Sequence, residues 1–346
     1  MTIKSYTMVL FSVASISVSA VARDQIKIVG SSTVYPFTSY VAKDFHVKTN
    51  HPLPDVQSTG TGGGMKLFCA GVGLDTPDLT DASRPMKLNE YETCVKNGVT
   101  DITGMKVGFD GIAFAQSKGN AEISLTREQI FLALAEEVPS KDGTSLIKNP
   151  YKTWNEIDSK LPHRKITVYG PPTTSGTRDS FEEMVMEHAS EHFEAYGAQK
   201  GKYKAIRQDD VYVPAAEDDE LVVRALTRDV EAFGIFGYSY LEENGKKING
   251  ALIDAVSPNF ETISSGKYPL SRGLYIYIKN AHRNQVSGMD AFLKFYMHEK
   301  MVGNQGALRK IGLVPMHSNE YKEVQKVVLA KTKLSEEMVK KNTILP

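Results

Sequence analysis

The chain has 346 residues, 41% of them hydrophobic and 24% charged, with 41 basic against 41 acidic side chains. That length exceeds one ordinary core and fits two domains. The charge balance leaves no basic footprint for nucleic acid and no acidic tail.

Residues 1–22 stand apart. Lys4 is their only charge, Met8 to Ala22 is apolar or small, and the run ends Ala20-Val21-Ala22 before Arg23-Asp24. This is the pattern of a secretory signal peptide with an A-x-A cleavage site. The mature protein is therefore expected to start near Arg23 and to be periplasmic. The apolar stretch is short for a bilayer span, and no later stretch is long enough to cross one.

Gln25 to Val29 alternates and is β-branched, which predicts a strand. Gly30-Ser31-Ser32-Thr33-Val34 follows as a turn, with Pro36 near a helix start. Phe37, Tyr40, Val41 and Phe45 then share one helical face. Asp55 to Ser58 predicts a second strand, leading into Thr59-Gly60-Thr61-Gly62-Gly63-Gly64 and a helix with Met65, Leu67 and Phe68. A short strand, Thr80 to Ser83, ends at Arg84-Pro85, and Lys106 to Phe114 reads as a long strand. Thr126 opens a capping box, Thr-Arg-Glu-Gln, for a helix to about residue 136.

Lys165 to Tyr169 is a strand that runs into Thr174-Ser175-Gly176-Thr177-Arg178, then a helix with Phe181, Met184, Val185 and Ala189 inward. Gly234 to Tyr240 reads as strand or strand-like turn, Leu274 to Ile278 as a strand, and the residues after Gly288 as mainly helical. Strand, Gly/Ser turn and helix in repetition define an α/β fold. Ligands in such folds sit at the carboxyl ends of strands, where all three turns fall.

Each turn can present backbone N–H groups and hydroxyls at a helix start, where negative charge is favoured. Taken singly, each is equally well a helix cap. Three in one secreted chain point to a small oxyanion held by hydrogen bonds. The two cysteines, Cys69 and Cys94, form a disulfide in an oxidising compartment, or else remain as two buried thiols. They are too far apart in sequence to suggest a metal site. With no linker-like segment, the two domains are expected to share strands, near Asp110 to Phe114 and near Leu274.

Gly30-Ser-Ser-Thr-Val-Tyr-Pro36, Gly60-Thr-Gly-Gly-Gly-Met-Lys66, Asp81-Ala-Ser-Arg-Pro85 and Ser175-Gly-Thr177 occur in the order seen in periplasmic phosphate-binding proteins. Glu217-Asp-Asp219, Gly234-Ile-Phe-Gly-Tyr238 and Gly312-Leu-Val-Pro315 also resemble that family, the substrate-binding components of phosphate-specific ABC importers. The resemblance spans nearly the whole mature chain. It implies a type II periplasmic-binding-protein fold, in which two lobes joined by crossing strands at a hinge close on phosphate. It assigns residues 24–110 plus 272–346 to one lobe and 111–271 to the other. The protein would be a monomeric receptor without cofactor or metal, serving a membrane permease.

Carried over residue by residue, the resemblance puts phosphate ligands at Ser32, Thr33 and Val34, at Thr61, and at Ser175, Gly176 and Thr177. The chain departs from the common pattern twice. Arg84 follows Ser83 where many members have Asp, and Pro171 stands where many have Arg. Arg84 is therefore expected to supply the guanidinium, with Arg178 as second candidate. The acceptor for the phosphate proton falls to Asp110, with Asp179 in reserve.

Two rival functions share some of these features. A receptor for sulfate or molybdate would use the same turns. A zinc hydrolase is suggested by His188-Ala-Ser-Glu191-His192, an H-x-x-E-H pattern, although the flanking glutamates look like a solvated helix face. Nucleotide P-loop and nucleophile-elbow motifs do not occur. The reading is of a binding protein, not an enzyme.

Overall fold

A computed structural model describes residues 23–197, 199, 201–215 and 219–346. The expected signal peptide and the first two residues of Glu217-Asp218-Asp219 lie outside them. In chain order the elements that build the site are β1 (Lys27–Gly30), α1 (Tyr35–Thr49), β2 (Asp55–Ser58), α2 (Thr61–Phe68), β3 (Leu79–Ala82), α3 (Leu88–Lys96) and β4 (Ile102–Ser117). There follow α4 (Arg127–Leu134), β5 (Val168–Gly170), α5 (Gly176–Phe181), β6 (Tyr212–Pro214), β7 (Phe233–Gly237), β8 (Ile248–Gly250), β9 (Ser271–Lys279) and α6 (Met289–Tyr296). The expected α/β class holds.

These strands form one sheet in the order β2-β1-β3-β9-β4-β7-β5-β6, with β8 also on β4. β4 is 16 residues long because it serves two halves of that sheet. Its first part pairs antiparallel with β9, from Lys279 opposite Ile102 to Ser271 opposite Gly111. Its second part pairs antiparallel with β7, from Gly237 opposite Ile112 to Phe233 opposite Gln116. The exchange of partners falls between Gly111 and Ile112, where Ile112 N–H donates to Leu270 O at 2.9 Å. Parallel pairs β1–β2 and β1–β3 complete the first half, and β7–β5–β6 the second.

Local sequence explains the edges of these elements. Pro36 sits in the first turn of α1, where its missing N–H costs nothing, and Asn50 ends the helix in the left-handed region. Thr126 and Gln129 close the anticipated capping box: Gln129 N–H donates to Thr126 Oγ1 at 3.1 Å and Thr126 N–H to Gln129 Oε1 at 2.9 Å. Cys69 and Cys94 are joined in a disulfide that ties the end of α2 to α3.

The helix after Ser175 departs from expectation. α5 gives way to a π-helical turn, Glu182–Glu187, whose extra residue per turn rotates the inward face. Phe181, Val185 and Ala189 are buried as expected, but Met186 is buried while Met184 is only half-buried. The predicted strand around Gly234 ends at Gly237, and a short helix, Tyr238–Glu243, takes over.

Candidate anion-binding site

The first turn leaves β1 at Gly30 with φ 137°. A Cβ there would lie 2.1 Å from Asp81 O, so only glycine permits the close β1–β3 approach. Ser31 N–H donates to Asp81 O at 3.0 Å. Ser31 Oγ then accepts from Thr33 N–H at 3.2 Å and from Val34 N–H at 3.4 Å. Ser31 thus holds the two backbone donors that the resemblance marked as ligands, and Val34 is fully buried.

The third turn packs directly on the first. Ser175 caps α5, its Oγ accepting from Thr177 N–H at 3.2 Å. A Cβ on Gly176 would stand 3.3 Å from Ser32 O and 3.4 Å from Thr33 Cα. Ser32 Oγ donates to Asp179 Oδ2 at 2.7 Å, and Thr33 Oγ1 lies 3.2 Å from Ser180 Oγ. Residues that are about 147 positions apart in the chain therefore meet.

A cleft of about 480 Å³ opens here. Its lining includes Ser32, Thr33, Ser58, Asp110 and Thr174 to Thr177, with Tyr35, Tyr240 and Ile311. Asp110, opposite Arg272 in the β4–β9 register, accepts from Ser180 Oγ at 2.8 Å. Ser32, Thr33, Asp110, Ser175, Gly176 and Thr177 are thus brought together as expected.

Four expected ligands are placed elsewhere: Val34 is buried outside the lining with its N–H on Ser31 Oγ, and three more turn to partners of their own. Thr61 turns to Ser83, with its Oγ1 3.1 Å from Ser83 Oγ and accepting from Ser83 N–H at 3.2 Å, and does not line the cleft. Arg84 is engaged by Glu90 in a two-pronged pair, at 2.9 and 2.7 Å. Burial raises the Glu90 carboxyl, but the Arg84 hydrogen bonds, the Lys87 N–H and the charges of both residues together outweigh it and hold the group below its usual range. Arg178 is buried, donates to Glu182 at 2.8 Å, stacks 4.9 Å from the Tyr212 ring and lines a separate cavity with Arg207. Both arginines are corrected out of the cleft lining for the same reason: each finds a carboxylate four to six residues along the chain.

A guanidinium that touches the lining at Thr33, without being part of that lining, belongs to Arg272, which the sequence reading passed over. One terminal nitrogen donates to Thr33 Oγ1 at 2.8 Å and also to Ser180 Oγ, the other pairs with Glu183, and Nε is 3.6 Å from Asp110 Oδ2. Since the single Ser180 hydroxyl hydrogen goes to Asp110, the Thr33 hydroxyl donates to Ser180. Its one sequence signal is a charge at the start of a strand expected to cross between domains.

The zinc reading is not supported. His192 pairs with Glu128 at 2.7 Å on an exposed face, the His188 ring lies 5.1 Å from it, and Glu191 is exposed. Among the described residues no group of three or more His, Cys, Asp or Glu could hold a metal.

A fold of two sheet halves on a shared strand, with a polar cleft where they meet, defines a solute-binding protein. The PBP superfamily domain model matches residues 17–300, and the chain belongs to that superfamily. It is 31% identical to Protein SphX of Synechococcus elongatus over 299 residues, covering 84% of this chain and 77% of that one. It is 28% identical over 302 residues to Phosphate-binding protein PstS of Staphylococcus saprophyticus, covering 86% and 82%. A possible phosphate binding protein from Planctomyces limnophilus superposes with a TM-score of 0.74 at 28% identity, covering 90% of this chain and all of that one.

Proposed function

We propose that this protein is the periplasmic receptor of a phosphate-importing ABC transporter, that it binds orthophosphate in the cleft without chemical change, and that it presents the loaded form to a membrane permease. Relatives named as phosphate-binding proteins support the ligand class. The carrying observation is the convergence of the first and third turns around Ser32, Thr33 and Ser175 to Thr177. Hydroxyl and N–H donors suit four tetrahedral oxygens.

In this reading the lobes are residues 24–110 plus 272–346 and 111–271, and β4 and β9 carry the hinge. Phosphate bridges the lobes and shifts the population toward closure. Asp110 accepts the proton of monohydrogen phosphate. Sulfate has no proton to offer, so like charges would face each other in a half-dry cleft. Asp179, bonded to Ser32, is the alternative acceptor.

Titration calorimetry of the secreted protein with phosphate, sulfate and molybdate across a pH series tests this. Phosphate should bind at one site, with sulfate at least tenfold weaker. Tighter sulfate or molybdate binding would make the protein a receptor for that anion, and heat from none of the three would remove the oxyanion reading.

A further inference from the structure

We infer that Arg272 is the cation of the anion site and that it passes from Glu183 to the bound tetrahedral oxyanion; this rests on the oxyanion reading above. Three carboxylates surround the cleft: Asp110 in its lining, Asp179 on Ser32 and Glu183 on Arg272. A multiply charged anion needs a cation among them, because an unpaired charge in a desolvated place is costly. Arg84 and Arg178 cannot serve while each is bound to its own glutamate.

Arg272 meets the requirement by position and by its unspent donors. Its guanidinium touches Thr33 from one half of the sheet and Ser180 from the other. The side chain is 13% exposed, and its buried Nε has no hydrogen-bond partner among the described residues. The Thr33 and Ser180 hydroxyls and the Asp110 carboxylate aim the group. The Glu183 pair is different, because that carboxylate is 51% exposed. A screened pair of that kind contributes little and exchanges readily for a fully charged ligand. A planar fork that loses one carboxylate can take two oxygens of the anion in its place. Arg272 also starts β9 opposite Asp110, so anion charge is felt at the strand crossing itself.

The test is phosphate calorimetry on wild type, Arg272→Gln, Arg272→Lys and Glu183→Gln, with thermal melts to establish folding. Arg272→Gln should weaken binding at least tenfold, and Arg272→Lys should recover part of that loss. Glu183→Gln removes the competing carboxylate and should tighten binding two- to tenfold. A merely structural arginine would give no tightening in Glu183→Gln. Folded Arg272→Gln binding phosphate within twofold of wild type overturns the inference and leaves the receptor reading standing. If Arg272→Gln does not fold, unchanged or weaker binding by Glu183→Gln overturns it. Wild type that binds no tetrahedral oxyanion defeats the receptor reading instead.

Discussion

Replacing Asp81 by Asn should stabilise the protein at neutral pH, by a margin that grows as the pH rises from 4 to 8. Asp81 is 1% exposed on β3, directly under the first turn, whose Ser31 N–H its backbone carbonyl accepts. Its carboxyl meets Thr38, whose hydroxyl is 3.2 Å from the buried Tyr296 hydroxyl, and Oδ1 has no partner among the described residues. Burial raises the group from 3.8 to about 8, with the Thr38 hydrogen bond opposing only in part.

The folded state therefore holds a proton that the unfolded state has released between those two values, and the stability this group contributes declines as pH rises through that window. One unit is worth about 1.4 kcal/mol, so at pH 7 keeping the proton on costs about 4 kcal/mol. Asparagine has the shape of the neutral acid and pays no such cost, though its second amide hydrogen lacks an acceptor, which offsets about 1–3 kcal/mol. Urea unfolding of both proteins at pH 4, 5.5, 7 and 8.5 measures the gap. The variant should gain about 3 kcal/mol or more relative to wild type between pH 4 and pH 7. A gap that stays constant over that range refutes an Asp81 kept neutral by burial.

Arg84→Ala should leave phosphate affinity within twofold of wild type by calorimetry, and should cost about 1 kcal/mol in urea unfolding because it breaks a part-exposed pair with Glu90. Gly176→Ala sets a methyl group 3.3 Å from Ser32 O. It should weaken phosphate binding about tenfold through the approach of the two turns, with less than about 1 kcal/mol lost in stability, since core packing is untouched. Reducing the Cys69–Cys94 bond, which closes a loop of 25 residues, should lower stability by roughly 3 kcal/mol, read as a drop in the urea midpoint.

Charge around the cleft gives these variants a common logic. Ser32, Thr33 and Ser180 are hydroxyls already bonded to carboxylates or to Arg272. Each hydroxyl hydrogen is committed to a protein acceptor, Ser32 to Asp179 and Ser180 to Asp110, so it must turn from that partner to donate to a bound anion. Removing a partner therefore changes the orientation of a hydroxyl as well as the local charge.

What the sequence determined by itself was local. Alternation located β1, the Thr126–Gln129 box set the start of α4, and Gly/Ser/Thr clusters marked the turns at the ends of β1 and β5. Those features depend on neighbours within a few residues. The i, i+4 spacing of Arg178 and Glu182 was local too, and it carried the signal that Arg178 is already paired.

Tertiary structure decided which charges come together beside the cleft. Arg272 meets Thr33 across 239 positions of chain and Ser180 across 92, and no periodicity encodes such a contact. The meeting follows from β4 and β9 crossing side by side, which sets Arg272 opposite Asp110. Side-chain direction at a strand's end depends on register and twist between strands, and these are settled only when the sheet assembles.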